Sequence, residues 1–199
     1  MLASRSPRRI ELLSRIGVQP EVVPADIDES PLDNEDPISY VGRLAREKAR
    51  AVWARLDSEN GELLVVAADT TVDVDGQILG QPLDEADMRR MLRLLSARTH
   101  RVHTGVAVIS RAGEATDVVS SLVTFHPIAD ETLDWYIATG EPAGKAGAYA
   151  IQGLGGTLVA SMRGSMSNVV GLPLRETARL MGLDFSVLPT HADNGSDLE

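Results

Sequence analysis

Charged side chains that suit phosphate binding occur in the first turn of a helix predicted near the start of the chain. Ser6 and Pro7 predict the helix start, with Ser6 as the N-cap and Pro7 as the first helical residue. Arg8 and Arg9 follow, where the positive end of the helix dipole makes a cation unfavourable by up to about 1 kcal/mol. Free N–H groups, a hydroxyl and two guanidiniums together form a phosphate cradle. The alternative is a capped surface helix with two solvated arginines.

Two lysines are further candidates for a phosphate contact. Lys48 lies on the apolar stripe of a helix predicted over residues 37–56, from which it either extends to solvent or enters a polar cleft. Lys145 lies in the glycine-rich segment 141–156, which lacks the preceding strand and following helix of a dinucleotide-binding motif. This segment is either a mobile loop or one whose backbone closely approaches a ligand. In the second case Lys145 faces a phosphate and Gln152 a base edge.

Carboxylates near two predicted strands are candidates for catalysis. Residues 63–68 predict a central strand buried on both faces, which Asp69 and Thr70 are predicted to close. A carboxylate at the C-terminal end of a central strand is a usual position for chemistry in α/β folds, and a turn cap is the alternative role for Asp69. Glu29 and Asp28 begin an acidic loop, as solvated charges or as ligands for a metal or a water. Two carboxylates with phosphate oxygens suit Mg²⁺ or Mn²⁺.

The composition limits the classes of function. The chain has 199 residues, of which 43% are hydrophobic, and a net charge of −10. This acidity argues against non-specific nucleic-acid binding, so positive charge must be concentrated locally if the ligand is anionic. The absence of cysteine excludes disulfides, zinc-thiolate sites and thiol nucleophiles, and the four histidines lack metal-ligand spacing, so we interpret them as structural. No apolar run approaches the roughly 20 residues of a membrane span and no signal peptide is visible, which predicts a cytoplasmic protein without a membrane partner.

Turn residues and apolar runs along the chain indicate an α/β fold. Asp75-Gly76, between two short apolar segments, predicts a two-residue hairpin turn. Residues 102–109 and 118–125 predict two long antiparallel strands. The sheet that these strands form needs helices on its faces, and the amphipathic segments between the strands supply them.

The length is enough for one sizeable domain, since no internal repeat or clear linker divides the chain. We expect a single domain over residues 1–190. Within it, residues 184–188 are a candidate edge strand. Residues 191–199 are polar and predict a disordered tail.

Four motifs resemble, in their order along the chain, the Maf family of nucleoside triphosphate pyrophosphatases. They are the opening segment LASRSPRRIELL, then RLAREKA, AADTTV and the glycine-rich EPAGKAGAYAIQGLGG. Two further segments, LLSARTH and SNVVGLPL, are also similar to the family. The resemblance covers nearly the whole chain from Leu2 to Leu183, and chance rarely places several motifs in one order.

The resemblance implies a Maf/ITPase-like fold, in which helices flank an elongated mixed β-sheet and two lobes enclose a central cleft. It implies hydrolysis of the bond between the α- and β-phosphates, with Mg²⁺ or Mn²⁺ as cofactor. The implied catalytic residues are Lys48, Asp69 and Glu29, with Asp28 as the alternative to Glu29; Asp69 and Glu29 are also the implied metal ligands. The implied substrate contacts come from Ser4, Arg8, Arg9, Thr70, Gln81, Lys145 and Gln152.

Two positions depart from the family pattern. Gln81 stands where the family usually has a lysine, and a glutamine can donate hydrogen bonds to a phosphate but brings no charge. One phosphate contact is therefore expected to be weaker, or another cation substitutes for it. Gly144 stands where an aspartate commonly precedes Lys145, which affects the expected orientation of that lysine.

The segment 149–153 resembles the branch of the family that acts on dTTP and UTP. The amide of Gln152 offers both a donor and an acceptor, as the edges of uracil and thymine require. The closest alternative enzyme is a 7-methyl-GTP pyrophosphatase of the sister branch. Because the family is also linked to arrest of septum formation, a nucleotide-binding regulator with little turnover is the alternative from another class. The sequence leaves the oligomeric state open, a homodimer included.

Overall fold

A sheet of long strands forms the centre of the molecule. The computed structural model describes residues 1–56 and 63–183. The sheet has the strand order β2-β1-β3-β4-β5, and each neighbouring pair of these strands is antiparallel. The strands are β1 (Val65–Val74), β2 (Gln77–Leu79), β3 (Thr99–Ser110), β4 (Gly113–Phe125) and β5 (Val159–Arg163).

Helices cover both faces of this sheet. They are α1 (Pro7–Arg15), α2 (Pro37–Trp53), α3 (Glu85–Leu95), α4 (Asp130–Ala138), α5 (Met166–Val170) and α6 (Leu174–Leu180), with short 3₁₀ turns at Ala146–Ala148 and Leu154–Leu158. Among the described residues, no helix combines the length and the apolar character that crossing a membrane requires.

The beginning of the chain makes the sheet mixed. Leu2 forms parallel bridges with both Val22 and Val66, so the first residues lie beside the outer edge of β1. The predicted hairpin is present between β1 and β2, where Asp75 and Gly76 have φ values of 55° and 83°. Two consecutive positive φ values are what a type I′ hairpin turn requires. The predicted α/β fold, with a mixed sheet flanked by helices, is therefore confirmed.

The predicted end of the central strand was wrong. Asp69 and Thr70 do not close β1; they lie in its middle, paired with Gly105 and Thr104 of β3. The prediction took the end of the apolar run as the end of the strand. The strand continues because its polar side chains have buried partners within the molecule, so that a mostly polar half-strand remains buried.

Alternation along β1 distributes its side chains between two different environments. On one face, Val65 and Ala67 pack against Ala45, Ala49 and Val52 of α2. On the other face, the two halves of the strand belong to separate apolar clusters. The first half contributes Val66 and Ala68 to a cluster with α1 and the segment after α5.

The second half of β1 contributes Val72 and Val74 to a cluster with α3 and α4. Two groups of helices therefore sit over opposite ends of the same long strands. Thr70 lies between these ends on the same face, at the position where the two lobes separate. This arrangement agrees with the central cleft between two lobes that the family resemblance implies.

The candidate edge strand at 184–188 and the tail predicted at 191–199 lie outside the described residues. So does the end of the predicted domain 1–190, whose bounds stay a prediction.

A close approach between α2 and β3 generates a stability prediction. A Cβ atom on Gly105 would lie 2.3 Å from the backbone oxygen of Val41, and backbone atoms cannot move aside as a side chain can. Gly105→Ala is expected to lower the free energy of unfolding by about 2 kcal/mol or more, as overpacking in a core does. Urea denaturation followed by circular dichroism measures this change.

The matched control is Gly80→Ala, because a Cβ atom on Gly80 meets no atom within 4 Å. A surface substitution of this kind should change the free energy of unfolding by no more than about 0.5 kcal/mol. Equal stabilities of the two variants would contradict the close packing of α2 on β3.

Candidate active site

A gap in the pairing along the outer edge of β1 creates the main cleft. Val66 pairs on this edge with Leu2, and residues 72–74 pair with β2. Between these two pairings, no strand among the described residues covers the edge at Asp69 and Thr70. Side chains from both faces of the sheet can therefore reach one cavity, of about 590 Å³. This volume lies in the range of small-molecule sites.

Apart from Asp28, the cleft brings together the site residues that the sequence nominates. Its walls include Ser4, Arg8, Arg9, Glu29, Lys48, Asp69, Thr70, Gln81, Lys145 and Gln152. Their roles stay predictions, but their convergence from six separate parts of the chain is a property of the fold. Asp28, the alternative to Glu29, is not in the wall; its carboxylate accepts a hydrogen bond from Ser30 N at 2.9 Å.

A lysine bridging two carboxylates occupies one side of the cleft. Lys48 Nζ lies 2.7 Å from Asp69 Oδ1 and 2.8 Å from Glu29 Oε2. The side chains of Lys48 and Asp69 are only 9% and 10% exposed, whereas that of Glu29 is 52% exposed. A buried ammonium needs such partners, because desolvation would otherwise favour its neutral form. The three groups together carry one net negative charge.

Two local features hold this cluster in place. Asp36 caps α2 by accepting from Ile38 N and Ser39 N, at 3.0 and 3.1 Å, which defines where the helix that carries Lys48 begins. Tyr40 Oη donates to the backbone oxygen of Glu29 at 2.9 Å, which ties the acidic loop to α2. Burial and the nearby carboxylates raise the pKa of Tyr40 to about 12, so its hydroxyl remains a donor at neutral pH.

Arg9 is a structural centre of the cleft as well as a candidate substrate contact. Its Nε donates to Gly171 O at 2.8 Å, and its two terminal nitrogens donate to Ser4 Oγ and Thr70 Oγ1, both at 3.1 Å. Burial lowers the pKa of Arg9, although the charge of Asp69 opposes that effect. All three acceptors are neutral, so these bonds orient the guanidinium without neutralising its charge.

The N-terminus of α1 differs from its prediction in one respect. Ser6 is the N-cap residue and Pro7 begins the helix, as predicted, but the Ser6 side chain makes no capping bond. Instead, the hydroxyl oxygen of Ser4 accepts a hydrogen bond from Ser6 N at 3.2 Å. The sequence could not show this, because Ser4 Oγ is positioned by Arg9, a contact that depends on the folded helix.

Two cations in the wall of the cleft form no ion pair within the described part of the chain. Arg8 makes no hydrogen bond with any described residue, and burial lowers its pKa. Among the described residues, Lys145 Nζ donates only to Ala143 O, at 3.0 Å. Burial and the charge of Arg8 lower the pKa of Lys145, with an opposing effect from the charge of Glu141, so the two cations are close enough to repel each other. An anion between them would relieve this repulsion.

The two departures from the family pattern are neighbours in space. A Cβ atom on Gly144 would lie 4.0 Å from Gln81 Oε1. In a chain with lysine at 81 and aspartate at 144, opposite charges would face each other across this contact. Here both charges are absent, so the orientation of Lys145 does not depend on a carboxylate at position 144.

Gln152 and Tyr149 occupy the far wall of the cleft. Gln152 is exposed, and its side chain makes no hydrogen bond with a described residue. Tyr149 is buried, with its Oη 2.9 Å from His100 Nε2. Burial lowers the pKa of His100 to about 4, so the ring is neutral at neutral pH. Sequence reasoning classed His100 as structural and did not connect it with Tyr149, because no spacing rule joins two such distant positions.

The donor set of Asp69 and Glu29 fits a divalent cation of the Mg²⁺ type. Both carboxylates contact the same ammonium, so their oxygens lie within two hydrogen-bond lengths of each other. Mg²⁺ commonly binds one or two carboxylates and takes its remaining ligands from water and substrate phosphates. Within residues 1–56 and 63–183, no cluster of three or more His, Cys, Asp or Glu side chains suits a metal. Phosphate oxygens would therefore have to complete the coordination.

Comparison with known proteins gives a consistent set of relatives. The chain matches the family model described as "Maf-like protein" over residues 1–183. It is 52% identical over 200 residues to a protein of Anaeromyxobacter sp. (strain Fw109-5), covering 98% of this chain and 94% of that protein. It is 54% identical over 185 residues to one of Anaeromyxobacter dehalogenans (strain 2CP-C), covering 91% of each.

A third relative, from Myxococcus xanthus (strain DK1622), is 51% identical over 181 residues, which is 91% of this chain and 90% of that protein. All three relatives are named "dTTP/UTP pyrophosphatase". The family model spans nearly all of the described chain, and the relatives cover most of it at half identity or better. The family predicted from the motifs is confirmed, and the chain belongs to the Maf family.

Proposed function

We propose that this protein is a nucleoside triphosphate pyrophosphatase that hydrolyses dTTP and UTP to the nucleoside monophosphate and pyrophosphate. The proposal rests on one cleft that contains two groups of charged side chains. One is the cluster of Lys48, Asp69 and Glu29, and the other is the pair of unpaired cations Arg8 and Lys145. The names of the relatives support the choice of substrates. Because the protein as a whole carries a net charge of −10, this local concentration of cations distinguishes the cleft as a site for an anionic ligand.

The phosphate chain is held by the cationic side of the cleft. Arg8 and Lys145 supply charge, and the first turn of α1 supplies the backbone N–H of Arg8, because Ser6, Arg9 and Ile10 N–H already have acceptors. Gln81 adds a neutral donor beside them. These groups favour the charge that develops on the leaving pyrophosphate, because fixed cations in a partly dry site stabilise it more than water does.

Asp69 acts on the attacking water. Its carboxylate is held by Lys48 Nζ at 2.7 Å, and its remaining lone pairs are free to accept a proton from water. Attack at the α-phosphorus breaks the bond to the β-phosphate and releases pyrophosphate. Lys48 orients Asp69 through this contact, which is why a lysine on the apolar face of α2 belongs to the proposed catalytic machinery.

Asp69 and Glu29 would also hold a Mg²⁺ or Mn²⁺ ion, which when bound neutralises phosphate charge. Lys48 then keeps the two carboxylates adjacent and limits their mutual repulsion. Glu29, half exposed at the cleft mouth, is the more adjustable of the two ligands.

Gln152 and the wall around it recognise the base. Its amide can donate to O4 and accept from N3–H of uracil or thymine, and no described residue bonds to either group of the amide. Contacts of this kind discriminate by leaving polar groups unpaired when the wrong base is bound.

The first prediction concerns the substrate. Pyrophosphate release is expected from dTTP and UTP in the presence of Mg²⁺ or Mn²⁺, and is expected to stop when a chelator is added. 7-Methyl-GTP should not be hydrolysed at a comparable rate, since its edge does not match Gln152 as proposed. Turnover confined to 7-methyl-GTP would move the protein to the sister branch. Saturable nucleotide binding without any turnover would favour a regulator.

The second prediction concerns the proposed base. Asp69→Asn should lower kcat for UTP by at least about 100-fold, because an amide cannot accept the proton from water. The fold should survive, since the amide oxygen still accepts from Lys48, which also keeps Glu29. The control is Asp134→Asn, an exposed position on α4 whose carboxylate pairs with Arg89. Retained activity in Asp69→Asn would contradict the assigned role.

The third prediction concerns the neutral position at the phosphate side. Gln81→Lys should lower KM for UTP by about threefold at low ionic strength, the size expected for one partly exposed charge contact. The effect should fade with added salt. Gln77→Lys, on exposed β2, adds the same charge outside the cleft wall. An unchanged KM for Gln81→Lys, or an equal effect of both variants, would place position 81 outside the phosphate contacts.

A further inference from the structure

The segment that carries Gln152 is fastened on both sides by one pair of side chains. Ala150, two residues before Gln152, donates its backbone N–H to Tyr136 Oη at 3.0 Å. Leu154, two residues after Gln152, donates its backbone N–H to Glu141 Oε1 at 3.0 Å. Tyr136 Oη in turn donates to Glu141 Oε2 at 2.8 Å. We call this pair the Glu141–Tyr136 anchor.

The directions of these bonds are fixed by the chemistry of the groups. An ionised carboxylate only accepts, so Tyr136 must spend its single proton on Glu141 and use a lone pair for Ala150 N–H. Glu141 Oε2 also accepts from Gly155 N at 2.8 Å. Burial alone would raise the pKa of Glu141, but the bonds from Gly155, Tyr136 and Leu154 outweigh it and lower that pKa. The acceptor-only form is therefore the one present at neutral pH.

Two glycines make this approach sterically feasible. A Cβ atom on Gly153 would lie 2.0 Å from Glu141 Oε1, and one on Gly155 would lie 2.5 Å from Tyr136 Oη. Close backbone approach was predicted for this glycine-rich segment, with a ligand as the partner. These two glycines instead approach the anchor, which lies within the protein.

The anchor bears on Gln152 because nothing else among the described residues holds that side chain. Gln152 makes no hydrogen bond of its own, so the direction in which its amide enters the cleft follows from the backbone between residues 150 and 154. Tyr136 is fully buried on α4, which packs in the apolar cluster of the second lobe. The anchor therefore ties the backbone around Gln152 to the buried core of the second lobe.

We propose that Glu141 and Tyr136 are positioning residues for nucleobase recognition, holding the segment 150–155 so that Gln152 meets the base edge. The inference rests on the proposed function, since it assumes a nucleotide in this cleft. It assigns recognition of the base to α4 and the anchored segment 150–155, whereas the proposed phosphate contacts Arg8 and Lys145 lie outside that segment. The anchor is therefore separable by mutation from the phosphate contacts.

The test compares a nucleotide with a ligand that has phosphates only. Affinities are measured by calorimetry for α,β-methylene-UTP, which resists cleavage, and for inorganic tripolyphosphate. Tyr136→Phe keeps the buried ring and removes the shared hydroxyl. Glu141→Gln places an NH₂ group against one of the N–H donors. Each variant should weaken the UTP analogue by roughly tenfold, the effect of losing one or two hydrogen bonds to a positioned group. Tyr136→Phe should leave the tripolyphosphate affinity unchanged. Glu141→Gln also removes a negative charge that acts on Lys145, so it should not weaken tripolyphosphate binding.

Two controls separate positioning from general damage. Glu131→Gln makes the same chemical change at an exposed position of α4 and should alter neither affinity. In a Gln152→Ala background, Glu141→Gln should weaken the UTP analogue by less than about twofold further, because coupled residues are not additive. Circular dichroism and thermal melting establish that each variant is folded.

The outcomes are distinct. Equal weakening of both ligands would overturn the inference, since the anchor would then support the cleft as a whole. No change in either affinity, or a full tenfold loss added to Gln152→Ala, would also overturn it. UTP turnover by the unsubstituted protein is measured in parallel. Its absence would refute the proposed function, while selective loss of nucleotide affinity would still uphold the positioning role.

Discussion

The buried contact between Lys48 and Asp69 is the constraint on which the rest of the site depends. An ammonium and a carboxylate that are each about nine-tenths buried need hydrogen-bonding partners in the correct place. This requires α2 to lie against β1 at a fixed height and rotation. The absence of space between Gly105 and Val41 fixes the same packing from a purely steric side. Electrostatics and sterics thus determine one position for α2, and the geometry of the Lys48, Asp69 and Glu29 cluster follows from it.

The same contact explains why the middle of a buried strand can be polar. Asp69 lies on the face of β1 that meets α2, and Thr70 on the face that meets Arg9. If both edges of β1 were paired along their whole length, both side chains would be buried away from ligands. Here the partners on the outer edge, Leu2 and β2, leave a gap at this point, so both faces open into one cavity. A missing stretch of strand, rather than a loop, provides access to the chemistry.

Much of this could be predicted from local sequence. The hairpin at Asp75-Gly76 follows from turn chemistry, and α2 follows from its cap at Asp36 and its apolar stripe. The apolar stripe of α2 left Lys48 either in solvent or in a polar cleft, and only the family resemblance favoured the cleft. Local patterns carry these features because their causes lie within a few residues.

The features that escaped prediction depend on contacts between distant residues. The continuation of β1 past Ala68 needs β3 and Lys48 as partners, and the bond that Ser6 N donates to Ser4 Oγ needs Arg9 to orient that hydroxyl. Tyr136 showed no signal, because a buried tyrosine on an amphipathic helix is ordinary, and Glu141 was noted only as the first residue of the glycine-rich motif, without a role. Their importance lies in which backbone groups they meet, and periodicity does not encode that.

The contact between position 144 and Gln81 has a consequence for how such proteins diverge. Lysine at 81 alone would add a third cation beside Arg8 and Lys145, whereas aspartate at 144 alone would place a carboxylate beside these cations. The effect of each substitution is therefore expected to depend on the other. Two single changes separate the neutral pair from the charged pair, and of the two intermediates only the one with the lysine adds to the cationic character of this side of the cleft. The two positions are coupled energetically, so a change at one is expected to alter which residues the other tolerates.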